Sequence, residues 1–337
     1  MTSSVVLRPS GRKFSVEQDE SILIAALRQG IQLPHSCRGG SCRSCLARII
    51  DGECSYLHGP PIGLLPADGP AGRVLLCQAK TSVDLEIEVR ELDPGPGIST
   101  RRLPCRVQLM QRLAPDVMAL FLKLPSVEPF LFRAGQYIDF LLRDGKRRSF
   151  SIASPPHDSD TLEIHVRQVT NGRFSDWVFG ECRRKALLRL EGPLGGFFLD
   201  AKVARPIIFV AGGTGFAPIK GMLRDVFRRD LKRPMHLFWG ARQEIDLYED
   251  DLIREWVREQ TTLRYTPVLS DAGERDNWAG AKGWVHQAVL EEYPDLSGYQ
   301  VYMSGPPPMI DGARKDFAGH GLPESQLHFD SFEYALD

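Results

Sequence analysis

The stretch HSCRGGSCRSC, residues 35–45, sets three cysteines within nine residues. Four residues separate Cys37 from Cys42, two separate Cys42 from Cys45, and Cys77, in VLLCQAK, follows after a further thirty-one. The chain carries seven cysteines, an odd number that argues against a framework of disulfides. Its N-terminus, MTSSVVLRPSGRKF, lacks the apolar core of a secretory signal, and its longest apolar runs, such as PIIFVAGG, are too short to span a bilayer. A cytoplasmic location with reduced thiols is therefore expected, and no membrane partner. Clustered thiols in such a compartment are metal ligands in waiting. Structural zinc sites usually show two close pairs of ligands, whereas a triplet plus one distant cysteine fits an iron–sulfur centre better. Cys54, Cys105 and Cys182 follow no such pattern and are expected to be ordinary buried thiols.

The spacing C-x4-C-x2-C with a remote fourth cysteine is that of plant-type [2Fe-2S] ferredoxins, and residues 1–93 resemble that family. Cys37, Cys42, Cys45 and Cys77 are then the metal ligands. Gly39 and Gly40 let the loop take positive φ and turn backbone N–H groups toward sulfur. Arg38 and Arg43 are expected to raise the reduction potential. Arg43 departs from the glycine that the family often carries in C-G-x-C.

Around this loop the sequence divides into contrasting stretches. VVLRPSGRKFSV reads as two strands about a turn, and DESILIAALRQG as a helix capped by Asp19 and ended by Gly30. ELDPGPGISTRR, with two prolines and two glycines in seven residues, reads as a linker over 94–102. From 103 to 202, short apolar runs such as VMALFLKL, QYIDFLL and LEIHVRQV alternate with turns, the rhythm of an antiparallel barrel. From 203 to 337, strands such as PIIFVAGG and YQVYMSG alternate with helical segments, which predicts a parallel α/β sheet. The expected fold is thus multidomain α+β and α/β: a β-grasp ferredoxin domain, an antiparallel flavin-binding β-barrel and a parallel nicotinamide-binding domain. With 42 lysines and arginines against 43 acids, nothing suggests a nucleic-acid partner.

The second and third stretches carry their own motifs. KRRSFSIASPP contains Arg148, Phe150 and Ser151 and resembles the R-x-Y/F-S motif of the ferredoxin–NADP reductase superfamily. The resemblance implies that the arginine grips a flavin phosphate, the aromatic packs on the isoalloxazine and the serine bonds near N5. Ile164, His165, Val166 and Arg167 are the expected strand beside the adenine half. Gly172, Arg173, Phe174 and Ser175 open a helix whose amides face the pyrophosphate, which favours FAD. Gly212, Gly213, Thr214, Gly215 and Pro218, in GGTGFAP, resemble the superfamily's nicotinamide loop, although Pro218 stands where a full G-x-G-x-x-G would have its last glycine. Ser304, Gly305 and Pro306 match its C-G-P motif with serine for the cysteine near the nicotinamide C4, which loosens the geometry for hydride transfer. Asp246 and Glu244, with Arg242 as the one nearby base, lie where the cofactor 2′-position should be; an acid suits a free ribose hydroxyl, so NADH is expected, with NADPH the alternative. An aromatic near the chain end, Phe332 ahead of Phe329 and Tyr334, is expected to cover the flavin face.

The whole chain is similar to bacterial reductase components in which a [2Fe-2S] domain is joined to an FAD/NAD(P)H reductase. The resemblance implies NADH, FAD, the cluster and a protein electron acceptor: an oxygenase or hydroxylase component, or a ferredoxin. Reduction of a deoxysugar dehydrase, as by CDP-6-deoxy-3,4-glucoseen reductases, is the alternative. A reading of another class is a non-enzymatic zinc-bearing binding module on the same scaffold.

Overall fold

The computed structural model of the chain describes residues 2–93, 95–127, 129–158, 160–200, 203–273 and 278–332. It divides between Ser99 and Thr100 into two compact units.

In the first unit, β1 (Thr2–Arg8) and β2 (Lys13–Glu17) form an antiparallel hairpin, and α1 (Ile22–Arg28) follows. Ser21, rather than Asp19, is the N-cap: its hydroxyl accepts from the Ile24 N–H at 3.3 Å. Position rather than residue type decides, since the cap must reach the free amides of the first turn. Gly30 lies just past the helix at φ 74°, and the Ile31 N–H returns to the Ala26 carbonyl at 2.9 Å, a glycine-dependent C-terminal closure. Then come β3 (Leu46–Asp51), β4 (Ser55–Tyr56), β5 (Arg73–Leu75), β6 (Ala79–Lys80) and β7 (Leu85–Glu88). The main sheet has the order β2-β1-β7-β3-β5, with β1 and β7 parallel. Val5, Leu7, Ile22, Leu23, Leu75 and Ile87 fill the core between sheet and helix.

The second unit holds two six-stranded sheets. The first comprises β8 (Arg101–Ala114), β9 (Val117–Lys123), β10 (Tyr137–Leu141), β11 (Arg147–Ser151), β12 (Thr161–Arg167) and β13 (Leu187–Leu194), with α2 (Arg173–Gly180) between the last two. Its order is β11-β10-β13-β8-β9-β12, every pairing antiparallel. A bridge between Ile152 and Ile164 brings the two outer strands together, so the sheet curls round a core of Leu120, Ile138, Phe140, Leu162 and Ile164.

The second sheet is wholly parallel, as continuous apolar runs such as IIFVAG require when helices cover both faces. It is built from β14 (Ile207–Gly212), α3 (Phe216–Arg228), β15 (Met235–Ala241), α4 (Asp250–Glu259), β16 (Leu263–Leu269), β17 (Ala281–Lys282), α5 (Val285–Glu292), β18 (Gln300–Gly305), α6 (Pro307–Gly319) and β19 (Leu327–Ser331). The order β17-β16-β15-β14-β18-β19 reverses direction between β14 and β18. Sheets of this kind bind ligands at that reversal, outside the carboxyl ends of the strands. Among the described residues no helix is long and apolar enough to cross a membrane.

Candidate functional site

In the first unit, β3 and β5 run antiparallel with Leu46 opposite Leu75. Just beyond that rung the Leu76 N–H donates to the Cys45 carbonyl at 3.1 Å. The ladder thus delivers the remote Cys77 to the triplet. Cys42, Cys45 and Cys77 are buried, and Cys37 is half-buried. The sulfurs form two hydrogen-bonded pairs, Cys37 with Cys42 and Cys45 with Cys77. The bond from Cys42 lowers the Cys37 thiol to about 4, helped by Ser41, whereas the bond to Cys37 and burial push Cys42 up. Cys45 is likewise lowered by its bond with Cys77, and Cys77 raised.

The Gly39 N–H and the Ser41 hydroxyl point at the Cys37 sulfur, at 3.3 and 3.5 Å. Such donors suit a sulfur carrying negative charge in a metal centre. Within the described residues, the grouping of three ligand atoms all inside 4.8 Å is Glu163, His165 and Glu249; the four sulfurs do not converge in that way. Two separate pairs suit a two-iron centre and not the tetrahedron of a single zinc ion.

Arg43 adopts φ 65° and turns to Asp68 and the Gly63 carbonyl. Its charge is therefore balanced by a carboxylate, and the expected rise in potential from Arg43 is offset. Cys105 and Cys182 are buried thiols and Cys54 is half-buried; burial pushes Cys105 up to about 12.

In the second unit, the two flavin-side motifs meet. Phe150 of β11 and Phe174 in the first turn of α2 have ring centroids 5.2 Å apart, and both pack against Phe140. Arg148 donates to the Arg147 carbonyl at 2.8 Å. Gly172 is the N-cap of α2 with no side-chain cap, and Arg173 is exposed near Asp144, so the first-turn amides keep no side-chain partner at the cap. The buried Ser151 hydroxyl donates to Asp330 of β19 at 3.4 Å. Asp330 stands opposite Ser304 in the β18–β19 ladder. Ser304 is fully buried, and its Oγ has no hydrogen-bond partner. Asp330 was not foreseen in the sequence; its signal was an acid set among aromatics in LHFDSFEY.

The glycines at the sheet reversal are explained by close approach. A Cβ on Gly215 would lie 1.9 Å from the Ser304 carbonyl oxygen, and one on Gly212 2.5 Å from Met309 Sδ. Gly213 takes φ 54°, and the Trp239 indole donates to its carbonyl at 2.9 Å. Thr214 lies in the short turn before α3, and Pro218 is buried in that helix's first turn. Pro306 is the N-cap of α6. The Phe332 N–H donates to the Gly305 carbonyl at 2.9 Å, which pins this half-buried aromatic at the reversal. Phe329 instead packs into the core with Arg314 over its ring, and Tyr334 lies outside the described residues.

Residues 164–167 form the end of β12, the strand expected from the sequence. Ile164 and Val166 point into the barrel core. His165 is bonded to Glu163 at 2.9 Å and to Tyr248 at 3.0 Å. Lys220 of α3 bridges Glu163 and Glu249 at 2.8 and 2.6 Å, so the cation among these acids is an ammonium. Burial alone would raise the Glu163 carboxyl, but His165 and Lys220 outweigh it and hold it at about 2. Arg167 turns toward the nicotinamide-side loop: its guanidinium is 3.5 Å from where a Gly213 side chain would begin. Its Nε and Nη2 are buried without hydrogen-bond partners, with Asp116 3.6 Å away. Asp246 lies in the turn after β15. Its carboxylate accepts from the Gln243 N–H and Arg242 Nε at 3.4 and 3.3 Å, capping its own turn.

Comparison with known proteins agrees with this geometry. Three family models match in succession: a 2Fe-2S iron-sulfur cluster binding domain over residues 5–82, an oxidoreductase FAD-binding domain over 104–199 and an oxidoreductase NAD-binding domain over 209–315. The chain is 39% identical over 332 residues to the CDP-6-deoxy-L-threo-D-glycero-4-hexulose-3-dehydrase reductase of Yersinia pestis, covering 98% of this chain and 99% of that one. It is 36% identical over 337 residues to reductase component 2 of terephthalate 1,2-dioxygenase from a Comamonas species, with 98% of each covered. Among solved structures, the cytochrome P450 reductase GcoB of Amycolatopsis matches with a TM-score of 0.82 at 30% identity, covering 98% and 99% of the two chains.

Proposed function

Because the chain belongs to the family of [2Fe-2S] ferredoxin reductases, which are NAD(P)H-dependent flavin and iron–sulfur oxidoreductases, we propose that it is the reductase component of an oxygenase system. Bound FAD would supply hydride acceptance from NADH, and a bound [2Fe-2S] centre one-electron delivery to a protein acceptor. One observation carries the reading: the same chain holds two sulfur pairs suited to two irons and, in its other unit, Ser151, Asp330 and Ser304 at a dinucleotide-type sheet reversal.

The residues take the following parts. Cys37, Cys42, Cys45 and Cys77 would hold the [2Fe-2S] centre. Arg148 and the first-turn amides of α2, among them Arg173 and Ser175, bind the flavin phosphates. Phe150 forms an aromatic wall for the isoalloxazine, and Ser151, oriented by Asp330, bonds its reactive edge. Gly212, Gly213, Thr214 and Gly215 bring backbone amides to the nicotinamide dinucleotide, with the unpartnered donors of Arg167 for its pyrophosphate. Ser304 offers its buried hydroxyl to the nicotinamide. Phe332 covers the flavin until the nicotinamide displaces it.

The acceptor reading is supported by relatives named for a dioxygenase, phenol hydroxylases and a cytochrome P450. A second reading, service to a deoxysugar dehydrase, is favoured by the 39% identity with the Yersinia reductase. Coupled assays decide between them. The purified protein and NADH are combined with a terminal dioxygenase component, a phenol hydroxylase component or the sugar dehydrase, and product is measured. Turnover with an oxygenase alone supports the first reading, and turnover with the dehydrase alone replaces it.

A further inference from the structure

We propose that the buried Arg43–Asp68 ion pair is a latch: it holds the cysteine loop in its ligating conformation and shields the iron–sulfur centre from the charge of Arg43. The inference rests on the reading of the four cysteines as cluster ligands.

Arg43 stands between two of those ligands, Cys42 and Cys45, at φ 65°. A residue with a side chain resists that left-handed conformation, so something must hold it. Its guanidinium grips Asp68 with two bonds, at 2.5 and 3.1 Å, and the Gly63 carbonyl at 2.6 Å. The two side chains are 12% and 4% exposed. Asp68 is itself fixed by the Leu65 N–H at 2.8 Å.

The segment that carries Asp68 is pressed onto the cysteine loop over several residues. The Gly63 N–H donates to the Gly40 carbonyl at 2.9 Å. A Cβ on Gly63 would lie 2.4 Å from the Ser41 carbonyl oxygen, and one on Gly40 2.7 Å from Pro61 Cβ. Gly63 therefore meets backbone and Gly40 meets the Pro61 and Gln78 side chains, with no room for a Cβ at either, and the ion pair closes this contact beside the cysteines.

Two consequences follow from a buried pair. Removing Asp68 leaves the Arg43 charge buried and unpaired, and removing Arg43 leaves Asp68 with only the half-exposed Arg73, 3.8 Å away; either loss is costlier than that of a surface contact. The pair as a whole is neutral, so its field at the centre is small, whereas either charge alone acts strongly through a poorly screened interior. An added electron on the centre is favoured by a lone arginine and opposed by a lone aspartate.

Three variants of the full chain test this: Asp68→Asn, Arg43→Gly and the double change. The midpoint potential of the centre is measured by spectroelectrochemistry. Separately, labelling of Cys37, Cys42 and Cys45 by a thiol reagent is followed on metal-free protein by peptide mass spectrometry. The expected result is a higher potential for Asp68→Asn, a lower one for Arg43→Gly and a return toward the parent value in the double variant. Labelling should be faster in all three, by at least about tenfold in Asp68→Asn. If Asp68→Asn does not fold, Arg43→Gly, whose glycine accepts φ 65° freely, still carries both readouts. Shifts of the same sign in the two single variants, or unchanged labelling, would overturn the latch. Absence of iron–sulfur absorbance in the parent protein would count against the ligand assignment instead, and the labelling would still judge the latch.

Discussion

Ser151 donates a 3.4 Å hydrogen bond to Asp330, 179 residues further along the chain. It joins the end of the R-S-F-S strand to the last strand of the parallel sheet, where Asp330 is the ladder partner of Ser304. On the proposed reading Ser151 would present its hydroxyl to a flavin edge, and the bond to Asp330 would hold its rotamer. Ser151→Ala should slow flavin reduction by NADH roughly two- to tenfold, the worth of one hydrogen bond. Asp330→Asn should slow it by a smaller factor with flavin content unchanged. Stopped-flow absorbance at the flavin band measures both, and an Asp330→Asn rate below that of Ser151→Ala would show that the aspartate does more than orient.

Arg148 lies on β11 two residues before Phe150. Arg148→Ala removes a charge-assisted contact of about 1.5–3 kcal/mol to the flavin phosphate, a roughly ten- to hundredfold loss of affinity. The purified variant should be flavin-poor and regain its colour on adding FAD. Full flavin occupancy at sub-micromolar protein would reject the assignment.

The Glu163 carboxyl sits at about 2 against a usual 4.5. A carboxylate lowered on folding stabilises the protein above its unfolded pKa, and that stability is lost as pH falls through the folded value. Glu163 should thus contribute about 3 kcal/mol at neutral pH that disappears between pH ~4.5 and ~2. Urea unfolding measured across that window should show a steeper acid loss for the parent than for Glu163→Gln. Equal pH slopes would mean that the Lys220–His165 cluster does not hold the charge.

Phe332, pinned at Gly305, is read as a movable cover and not as core. As core, Phe332→Ala would cost about 3–5 kcal/mol. As cover, it should leave the melting temperature nearly unchanged while altering flavin absorbance and the KM for NADH. A large fall in melting temperature with an unchanged KM would remove the cover.

How far the sequence alone reached follows from the range of the interactions. The cysteine spacing was legible because a cluster fixes local distances, and the change from short alternating strands to long apolar ones marked two kinds of sheet. Glycines 212, 213 and 215 were legible as a run that lets backbone come close to a neighbour, and at Gly215 the neighbour is the Ser304 carbonyl. What escaped was contact between distant segments. Asp330 meets Ser151 only after two sheets are built, and Lys220 meets Glu163 only when α3 packs on the barrel. Arg167 shares a strand with Ile164, yet it reaches Gly213 because alternate residues of a strand face opposite ways.

The central claim is that electrons pass from the flavin through the iron–sulfur centre to a protein acceptor. Cys42→Ser tests it most directly, since Cys42 is buried in one sulfur pair and lies in the other structural unit from the flavin motifs. NADH oxidation is measured with ferricyanide, which accepts electrons from flavin, and with cytochrome c, which depends on the centre. The variant should keep its FAD and its ferricyanide activity and lose its iron–sulfur absorbance and cytochrome c activity. Equal loss of both activities, with FAD still bound, would contradict the account.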